Sequence, residues 1–295
     1  MNPATAKSPV QFKNILFATD FSPAAAYAIP LVRRIATHYE AHVFAFHARP
    51  PVNPMTPPAT WPSEESIRTE NLALGVELCN AFPALPVTLI VEEGHVLACL
   101  ERIIEENNVD LVVLGTHGRT GIGKLLLGSV AEEIFRNVRC PVLTVGPHAY
   151  GSHAAGSQMR EIIFATDLTP KSEAAAAYAV SLAEEFRARL ILIHVARESE
   201  TDDLVSWYQF QASAEALLRK LVPEQAAAVC NPEFFVERGS PADRVVELAH
   251  FRESNLIVLA VKGDNGLHGA ATHLPFAIAH KIVSTAECPV LTIRH

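Results

Sequence analysis

The segment Leu114–Ser129, LGTHGRTGIGKLLLGS, contains a glycine-rich run that almost matches a phosphate-binding P-loop. Gly118 through Lys124 fits the first seven positions of the pattern GxxxxGK[ST], but the last position is Leu125. A P-loop needs a hydroxyl there to hold magnesium, and its helix begins at that position. Leu125 has no hydroxyl, and the better helix start is Gly128-Ser129, so the P-loop interpretation is poor.

A different spacing in this segment remains: Gly115, Gly118 and the pair Gly128-Ser129. Glycines after a strand remove side chains where a sugar or phosphate would approach, and they allow a tight turn. A helix that opens at Gly128-Ser129 offers backbone N–H groups, a hydroxyl and the positive end of the helix dipole. Arg119 and Lys124 lie between these positions and could neutralise a polyphosphate. The spacing therefore indicates an anion-binding site.

Such a site needs a strand before the glycines and a helix after them, and the sequence alternates accordingly. Predicted strands cover 14–19, 42–47, 87–91, 110–114 and 141–145, and predicted helices cover 23–39, 63–80, 95–107 and 129–138. Ser22 and Ser129 are predicted helix N-caps, and Pro30 is expected to kink or shorten the first helix. Short apolar strands separated by helices predict an α/β fold with a parallel, doubly wound sheet.

The polar residues after these strands converge if the strand order is 3-2-1-4-5, which we assume for a doubly wound sheet. Ligands then bind beyond the carboxyl ends of strands 1 and 4, where the order reverses. Thr19 and Asp20 follow strand 1, Ala48 follows strand 2, and Leu114 ends strand 4. We expect these residues to line one crevice.

The whole unit occurs twice in the chain. ILFATDFSP at 15–23 is repeated as IIFATDLTP at 162–170, His47 corresponds to His194, and CPVLT at 140–144 recurs unchanged at 288–292. The landmarks keep their order, so the chain is a tandem duplication. We predict domains at 1–147 and 160–295, joined by a linker at 148–159. His47 and His194 are each expected to hydrogen-bond the neighbouring loop.

Composition narrows the possible functions. The chain has 295 residues, a formal net charge of -8 and 49% hydrophobic residues. Without a basic excess, attraction to nucleic acid or anionic lipid is not expected. No apolar run is long enough for a membrane helix, and the first residues do not read as a signal peptide, so we expect a cytoplasmic protein. The five cysteines include no CxxC pair and are expected to be reduced thiols.

At these residues the chain resembles the universal stress protein family in its tandem-domain form. The family's ATP-binding signature, G-x2-G-x9-G-[ST], is satisfied by residues 115–129, and the ATD of strand 1 and the CPVLTV strand match as well. The resemblance implies Rossmann-like domains of the adenine nucleotide α-hydrolase type and association through the fifth strands. In one branch it also implies bound ATP.

Carried over by position, the resemblance implies the following ATP site. The adenine and ribose would lie at Thr19, Asp20 and Ala48, with Mg brought by ATP near Asp20. The ribose and phosphates would lie at Leu114, Gly115, Thr116, His117 and Gly118, beside Arg119 and Lys124. The phosphates would be cradled by Gly128, Ser129 and Val130.

The second copy departs from this signature. Ala260 replaces Gly115, Asp264 replaces Arg119, and the positions of Gly128-Ser129 fall around 275–277. Asp167 keeps the place of Asp20. The sequence therefore predicts one competent ATP site and one degenerate site.

The crevice does not contain the residues expected of a hydrolytic active site, because it offers only Asp20, His117 and one or two basic side chains. We expect a binding protein, not an enzyme, in which ATP occupancy acts as a signal, with slow hydrolysis left open. Two alternatives stay open: an adenylate-forming enzyme of the same superfamily, and a nucleotide-independent interaction module. The fifth strands predict an intramolecular pseudo-dimer, and a homodimer of chains stays open as well.

Overall fold

The computed structural model describes residues 10–49, 51, 55, 57, 61–115, 128–146, 149, 158–197, 203–261 and 270–294. The first copy comprises β1 (Asn14–Ala18), α1 (Pro23–Ala26), α2 (Ile29–Tyr39), β2 (His42–Arg49), α3 (Glu64–Ala81), β3 (Val87–Glu93), α4 (Val96–Glu106), β4 (Leu111–Gly115), α5 (Ser129–Asn137) and β5 (Val142–Val145). The second comprises β6 (Glu161–Ala165), α6 (Glu173–Phe186), β7 (Arg189–Ala196), α7 (Leu204–Lys220), α8 (Glu224–Cys230), β8 (Glu233–Arg238), α9 (Pro241–Phe251), β9 (Leu256–Val261), α10 (Ala270–Thr285) and β10 (Val290–Arg294). A short 3₁₀ turn, Pro170–Ser172, precedes α6.

The strands form one ten-stranded sheet in the order β3-β2-β1-β4-β5-β10-β9-β6-β7-β8. Each copy therefore has the order 3-2-1-4-5 with parallel neighbours, as assumed from the sequence. The α/β, doubly wound fold is confirmed. The predicted domain boundaries and the pairing of two whole chains stay predictions.

The two copies meet at β5 and β10, the central antiparallel pair of the sheet, where Leu143 lies opposite Leu291. The hydroxyl of Thr144 donates to the Val290 carbonyl, and that of Thr292 donates to the Val142 carbonyl, each over 3.1 Å. Each copy thus covers the edge strand that the other would expose. The expected association through the fifth strands occurs within the chain.

Helices cover both faces of this sheet because the strand residues alternate between two apolar clusters. Ile15 and Phe17 face a cluster shared with α2, α3, α6, α7 and α8. Leu16 points the other way, to a cluster shared with α4, α5, α9 and α10. This burial on both faces explains the continuous apolar strands of the sequence. Among the described residues, no helix is long and apolar enough to cross a membrane.

The first helix after β1 is interrupted, as Pro30 predicts. Its first turn, α1, has Ser22 as N-cap, whose hydroxyl accepts from the Ala25 N–H at 3.1 Å. The chain restarts as α2 with Pro30 in its first turn, where the missing N–H costs no helical hydrogen bond. The position of the break thus follows from the backbone chemistry of proline.

Candidate functional site

The crevice predicted from the sequence lies at the carboxyl ends of β1, β2 and β4. Ala18 pairs with Phe46 on one side and with Leu114 on the other. Because these strands are parallel neighbours, Thr19 and Asp20 leave the sheet between the ends of β2 and β4. Ala48 is the last residue but one of β2, and Gly115 is the last residue of β4, so both lie at the carboxyl ends of these strands.

Side chains and backbone together hold the loop after β1. The Phe21 N–H donates to Thr19 Oγ1 at 3.0 Å, and the Ser22 N–H donates to Asp20 Oδ1 at 2.9 Å. Phe21 has a φ of 56°, a left-handed conformation that is strained for a side chain of this size. These two bonds offset the strain and fix the direction of the Asp20 carboxylate.

A buried histidine anchors the same loop from β2. His47 is 7% exposed, and its Nδ1 lies 3.0 Å from the Thr19 carbonyl oxygen. Since a carbonyl accepts only, the ring donates from Nδ1. The Thr19 N–H in turn donates to the Phe46 carbonyl at 2.9 Å. The expected hydrogen bond of His47 to the neighbouring loop is confirmed.

Helix α5 opens toward solvent with Gly128 as N-cap and Ser129 as its first residue. The prediction that Ser129 is the N-cap is wrong by one residue, because Gly128 has the extended conformation of a cap and its carbonyl accepts from the Glu132 N–H at 2.8 Å. Among the described residues, no side chain caps this helix. Its first N–H groups lack helical partners and the dipole is positive here, so an anion would complete them.

The first turn of α5 also carries an acid, Glu132, which the sequence predicts only as part of a solvated helix face. Glu132 accepts from the guanidinium of Arg136 at 2.8 Å. This pair at spacing four partly neutralises the carboxylate and so reduces its repulsion of an anion at the helix start. The E-x3-R spacing was the available signal. Val130, predicted to cradle phosphate, is 44% exposed on the same turn.

Part of the predicted site lies outside the described residues. Thr116, His117, Gly118, Arg119 and Lys124 belong to the segment 116–127, which the structure does not describe. The described members are Thr19, Asp20, Ala48, Leu114, Gly115, Gly128, Ser129 and Val130. They supply both ends of the signature but not its middle.

The second copy repeats the first loop closely. Thr166 Oγ1 accepts from the Leu168 N–H at 3.0 Å, and Leu168 has a φ of 59°. Asp167 Oδ1 accepts from the Thr169 N–H at 3.0 Å, and His194 Nδ1 lies 2.9 Å from the Thr166 carbonyl oxygen. The loop after β6 therefore repeats the hydrogen bonds of the loop after β1.

The helix before the last strand of the second copy differs from α5, because α10 begins at Ala270. Counted from the shared CPVLT strand, Ala277 corresponds to Ser129. Ala277 therefore lies in the interior of a helix that starts seven residues earlier, about 10 Å along the axis. At this position the N–H groups of a helix donate to carbonyls of the preceding turn. The crevice of the second copy therefore has no unpaired N–H groups of a helix start at Ala277.

The described residues contain no group of three or more His, Cys, Asp or Glu side chains that could hold a metal ion. Asp20 could contribute one oxygen to a cation, which fits a magnesium ion carried mainly by phosphates. All five cysteines are free thiols. Burial raises the pKa of Cys140 and of Cys288 to about 12, so these thiols are unreactive at neutral pH.

Comparisons with known proteins agree with this geometry. Residues 11–146 and 159–294 each match the family model described as the Universal stress protein family. The chain is 26% identical over 256 residues to a universal stress protein of Mycobacterium tuberculosis, covering 82% of both chains. It is 23% identical over 303 residues to one of Mycolicibacterium smegmatis, covering 95% of this chain and 96% of that protein.

A crystal structure of a universal stress protein from Archaeoglobus fulgidus has a similar fold. Its TM-score is 0.69 at 15% identity, covering 97% of both chains. A functionally unknown protein from Pseudomonas aeruginosa has a TM-score of 0.64 at 14% identity, covering 96% of this chain and 92% of that chain. The two-copy architecture is thus shared over nearly the whole chain.

Proposed function

Because the chain belongs to the universal stress protein family, with one match to the family model in each copy, we propose that its first copy binds ATP and that ATP occupancy acts as a signal. One observation carries the proposal. The signature spacing of residues 115–129 begins at the last residue of β4 and ends at the start of α5, where no described side chain caps the helix. Backbone N–H groups at such a start bind phosphates without a dedicated side chain.

The proposed ATP lies across the reversal of strand order, with its adenine and ribose toward Asp20 and Ala48. The described geometry supports this orientation, since the loop after β1 is fixed by His47 and by its own side chains. Magnesium would arrive with the phosphates and contact Asp20. Arg119 and Lys124 would neutralise the phosphate charge.

ATP binding in the second copy is expected to be weak or absent. The helix start that would meet the phosphates is displaced, and Asp264 takes the place of Arg119. An adenine niche beside Asp167 with no phosphate cradle would bind ATP poorly. We therefore propose one ATP per chain.

We propose a binding role, not an enzymatic one. Within the described crevice, Asp20 is the acidic side chain at hand and is engaged by the Ser22 N–H. Hydrolysis needs a residue that orients water and another that stabilises the transferred charge. Any turnover is expected to be slow compared with the exchange of bound nucleotide.

Equilibrium dialysis of the whole chain with Mg-ATP tests the proposal. The expected result is saturation close to one ATP per chain, together with a higher melting temperature. Saturation close to two would contradict the proposed asymmetry. No saturable binding at millimolar Mg-ATP would favour the nucleotide-independent interaction module instead.

A further inference from the structure

A basic groove lies in the second copy, at the amino ends of its strands. Its volume is about 380 Å³. Its lining includes Arg160, Glu161, Arg187, Arg189, Val229 and Asn231. Arg160 and Arg189 stand at the amino ends of β6 and β7, whereas the proposed ATP crevice lies at the carboxyl ends of the strands. The two places therefore lie at opposite ends of the strands.

The groove is built by a helix that the first copy lacks. Val229, Cys230 and Asn231 form its wall at the end of α8. In the first copy, α3 ends at Ala81 and β3 begins at Val87, with no helix between them. An insertion specific to the second copy has thus closed one side of a concave surface.

The charges around the groove also differ between the copies. The positions of Arg160, Arg187 and Arg189 are occupied in the first copy by Lys13, Glu40 and His42. Lys13 Nζ donates to the Tyr39 carbonyl at 2.8 Å, and His42 Nε2 contacts Thr88 Oγ1 at 2.8 Å. The first copy therefore has no comparable cluster of cations.

Two acids beside the groove, Glu161 and Glu233, are already paired. Burial and the charge of a third acid, Glu184, raise the pKa of the Cys230 thiol. Glu161 accepts from Arg252 at 2.8 Å, and Glu233 accepts from Arg252 at 2.8 Å and from Arg189 at 3.0 Å. In the part of the chain that the structure describes, no acceptor lies within hydrogen-bonding distance of the Arg160 or Arg187 guanidinium. The guanidinium groups of Arg160 and Arg187 therefore remain available to donate hydrogen bonds to a ligand.

A favourable interaction with the helix dipole is not needed to explain Arg187. Arg187 is the left-handed C-cap of α6, with a φ of 50°, where a cation would complement the helix dipole. The matching C-cap of α2 is Glu40, with a φ of 52° and the opposite charge. A helix end of this geometry is therefore stable without an arginine.

The backbone that carries the arginines is held in place. The Arg189 N–H donates to the Arg160 carbonyl, and the Arg160 N–H donates to Asn255 Oδ1, each at 2.8 Å. The Arg187 N–H donates to the Glu184 carbonyl at 3.2 Å. Only the side chains would need ordering on binding, which lowers the entropic cost.

We propose that this groove binds a small organic polyanion carrying phosphate or carboxylate groups. The volume suits a small metabolite, since ligand pockets begin at roughly 300 Å³. The guanidinium forks of Arg160 and Arg187 bind the oxyanions, and the Asn231 amide and Val229 contact the remainder of the molecule. The Cys230 thiol donates to the Ala226 carbonyl at 3.0 Å and takes no part.

Calorimetric titration of the whole chain tests the proposal, with inorganic pyrophosphate and citrate as probes at constant ionic strength. The double variant Arg160→Gln/Arg187→Gln removes the two unpaired guanidinium groups, both at exposed positions. The control Arg33→Gln/Arg68→Gln removes the same charge from exposed positions of the first copy. Circular dichroism and the melting temperature verify that both variants are folded.

We expect saturable binding that weakens at least about tenfold in the groove variant and stays unchanged in the control. A stronger response to pyrophosphate supports a phosphate ligand, and a stronger response to citrate supports a polycarboxylate. Equal weakening in both variants would mean general charge attraction and would overturn the proposal. So would the absence of saturable binding for both probes. Pyrophosphate can also bind at the proposed phosphate site of the first copy, so the titrations are repeated in a Ser129→Asp background. The groove variant is expected to weaken binding there too, which separates this proposal from the proposed ATP site.

Discussion

Nδ1 of His47 lies 3.0 Å from the carbonyl oxygen of Thr19, and the same contact recurs between His194 and Thr166 at 2.9 Å. Both imidazoles are buried, and both carbonyls belong to the residue that leaves the first strand of a copy. In each copy, therefore, one buried imidazole holds the loop that follows the first strand.

Replacement of His47 by Phe keeps the ring and removes the donor. The Thr19 carbonyl loses its imidazole partner, so we expect the free energy of unfolding to fall by about 1–3 kcal/mol. Urea denaturation measures this loss. The affinity for ATP, measured by calorimetry, should fall as well, because Asp20 is no longer held in position.

His194→Phe is the matched control for that change. It should cost similar stability and leave ATP affinity unchanged, since the second copy is expected to hold no ATP. Equal loss of ATP affinity in both variants would contradict the assignment of the site to the first copy.

An acidic residue introduced at the start of α5 should weaken the binding of ATP. Ser129→Asp suits the first turn of a helix, so the fold is expected to persist. Its carboxylate would repel the phosphates and weaken binding by about tenfold or more, for a cost above roughly 1.4 kcal/mol. Calorimetry with Mg-ATP measures the change.

Ala277→Asp places the same charge at the equivalent position of the second copy, inside α10. We expect it to leave ATP binding unchanged. If it weakens binding as much as Ser129→Asp does, the phosphates do not lie at the start of α5.

Two thiols should make the protein sensitive to alkaline pH. Burial raises the pKa of Cys140 and of Cys288 from 9.0 to about 12 in the folded chain. In the unfolded chain they lose protons first, so the stability that they contribute is present below pH 9 and is lost as pH rises toward 12. The expected slope reaches at most about 1.4 kcal/mol per pH unit for each thiol.

Urea denaturation from about pH 8 to about pH 10 measures that slope. Cys288→Ala should flatten it, whereas Cys79→Ala, at an exposed position, should not. An unchanged slope in Cys288→Ala would show that other groups cause the alkaline sensitivity.

Two arginines at the carboxyl ends of strands, Arg49 on β2 and Arg238 on β8, should differ in their effect on stability. Arg49 Nη2 donates to Glu70 at 2.9 Å and to Asn71 at 2.6 Å. Arg238 lies over the Trp207 ring at 4.1 Å, and its Nε and Nη2 are buried without an acceptor in the described chain. In the sheet register, Arg49 pairs with Glu93, and Arg238 pairs with Ala196.

Replacement of each arginine by Met tests this difference. Arg49→Met should lower the free energy of unfolding by about 1–2 kcal/mol, because two hydrogen bonds are lost. Arg238→Met should cost less than about 0.5 kcal/mol or stabilise the chain, because the thioether keeps contact with the ring and two unsatisfied donors disappear. Thermal denaturation compares the two variants. A larger loss for Arg238→Met would mean that its donors have a partner in the folded protein.

Much of the fold can be predicted from the sequence because the determining signals are local. The apolar strands around Leu16 and Ile163, the cap at Ser22 and the break at Pro30 each depend on neighbouring residues. Boundaries shifted by a residue or two: β2 runs to Arg49 beyond the predicted His47. The strand order was assumed, because no local pattern specifies which strands become neighbours.

The candidate site likewise combines features that the sequence determines with features that depend on the tertiary structure. Residue type and spacing alone determined that Gly115, Gly128 and Ser129 could serve a phosphate, and that the second copy had lost part of this set. Only the tertiary structure decided that α10 begins seven residues before Ala277, and that Arg160, Arg187 and Arg189 surround one groove. Spacing along the chain determines local conformation, whereas convergence of distant residues depends on how strands pair and helices pack.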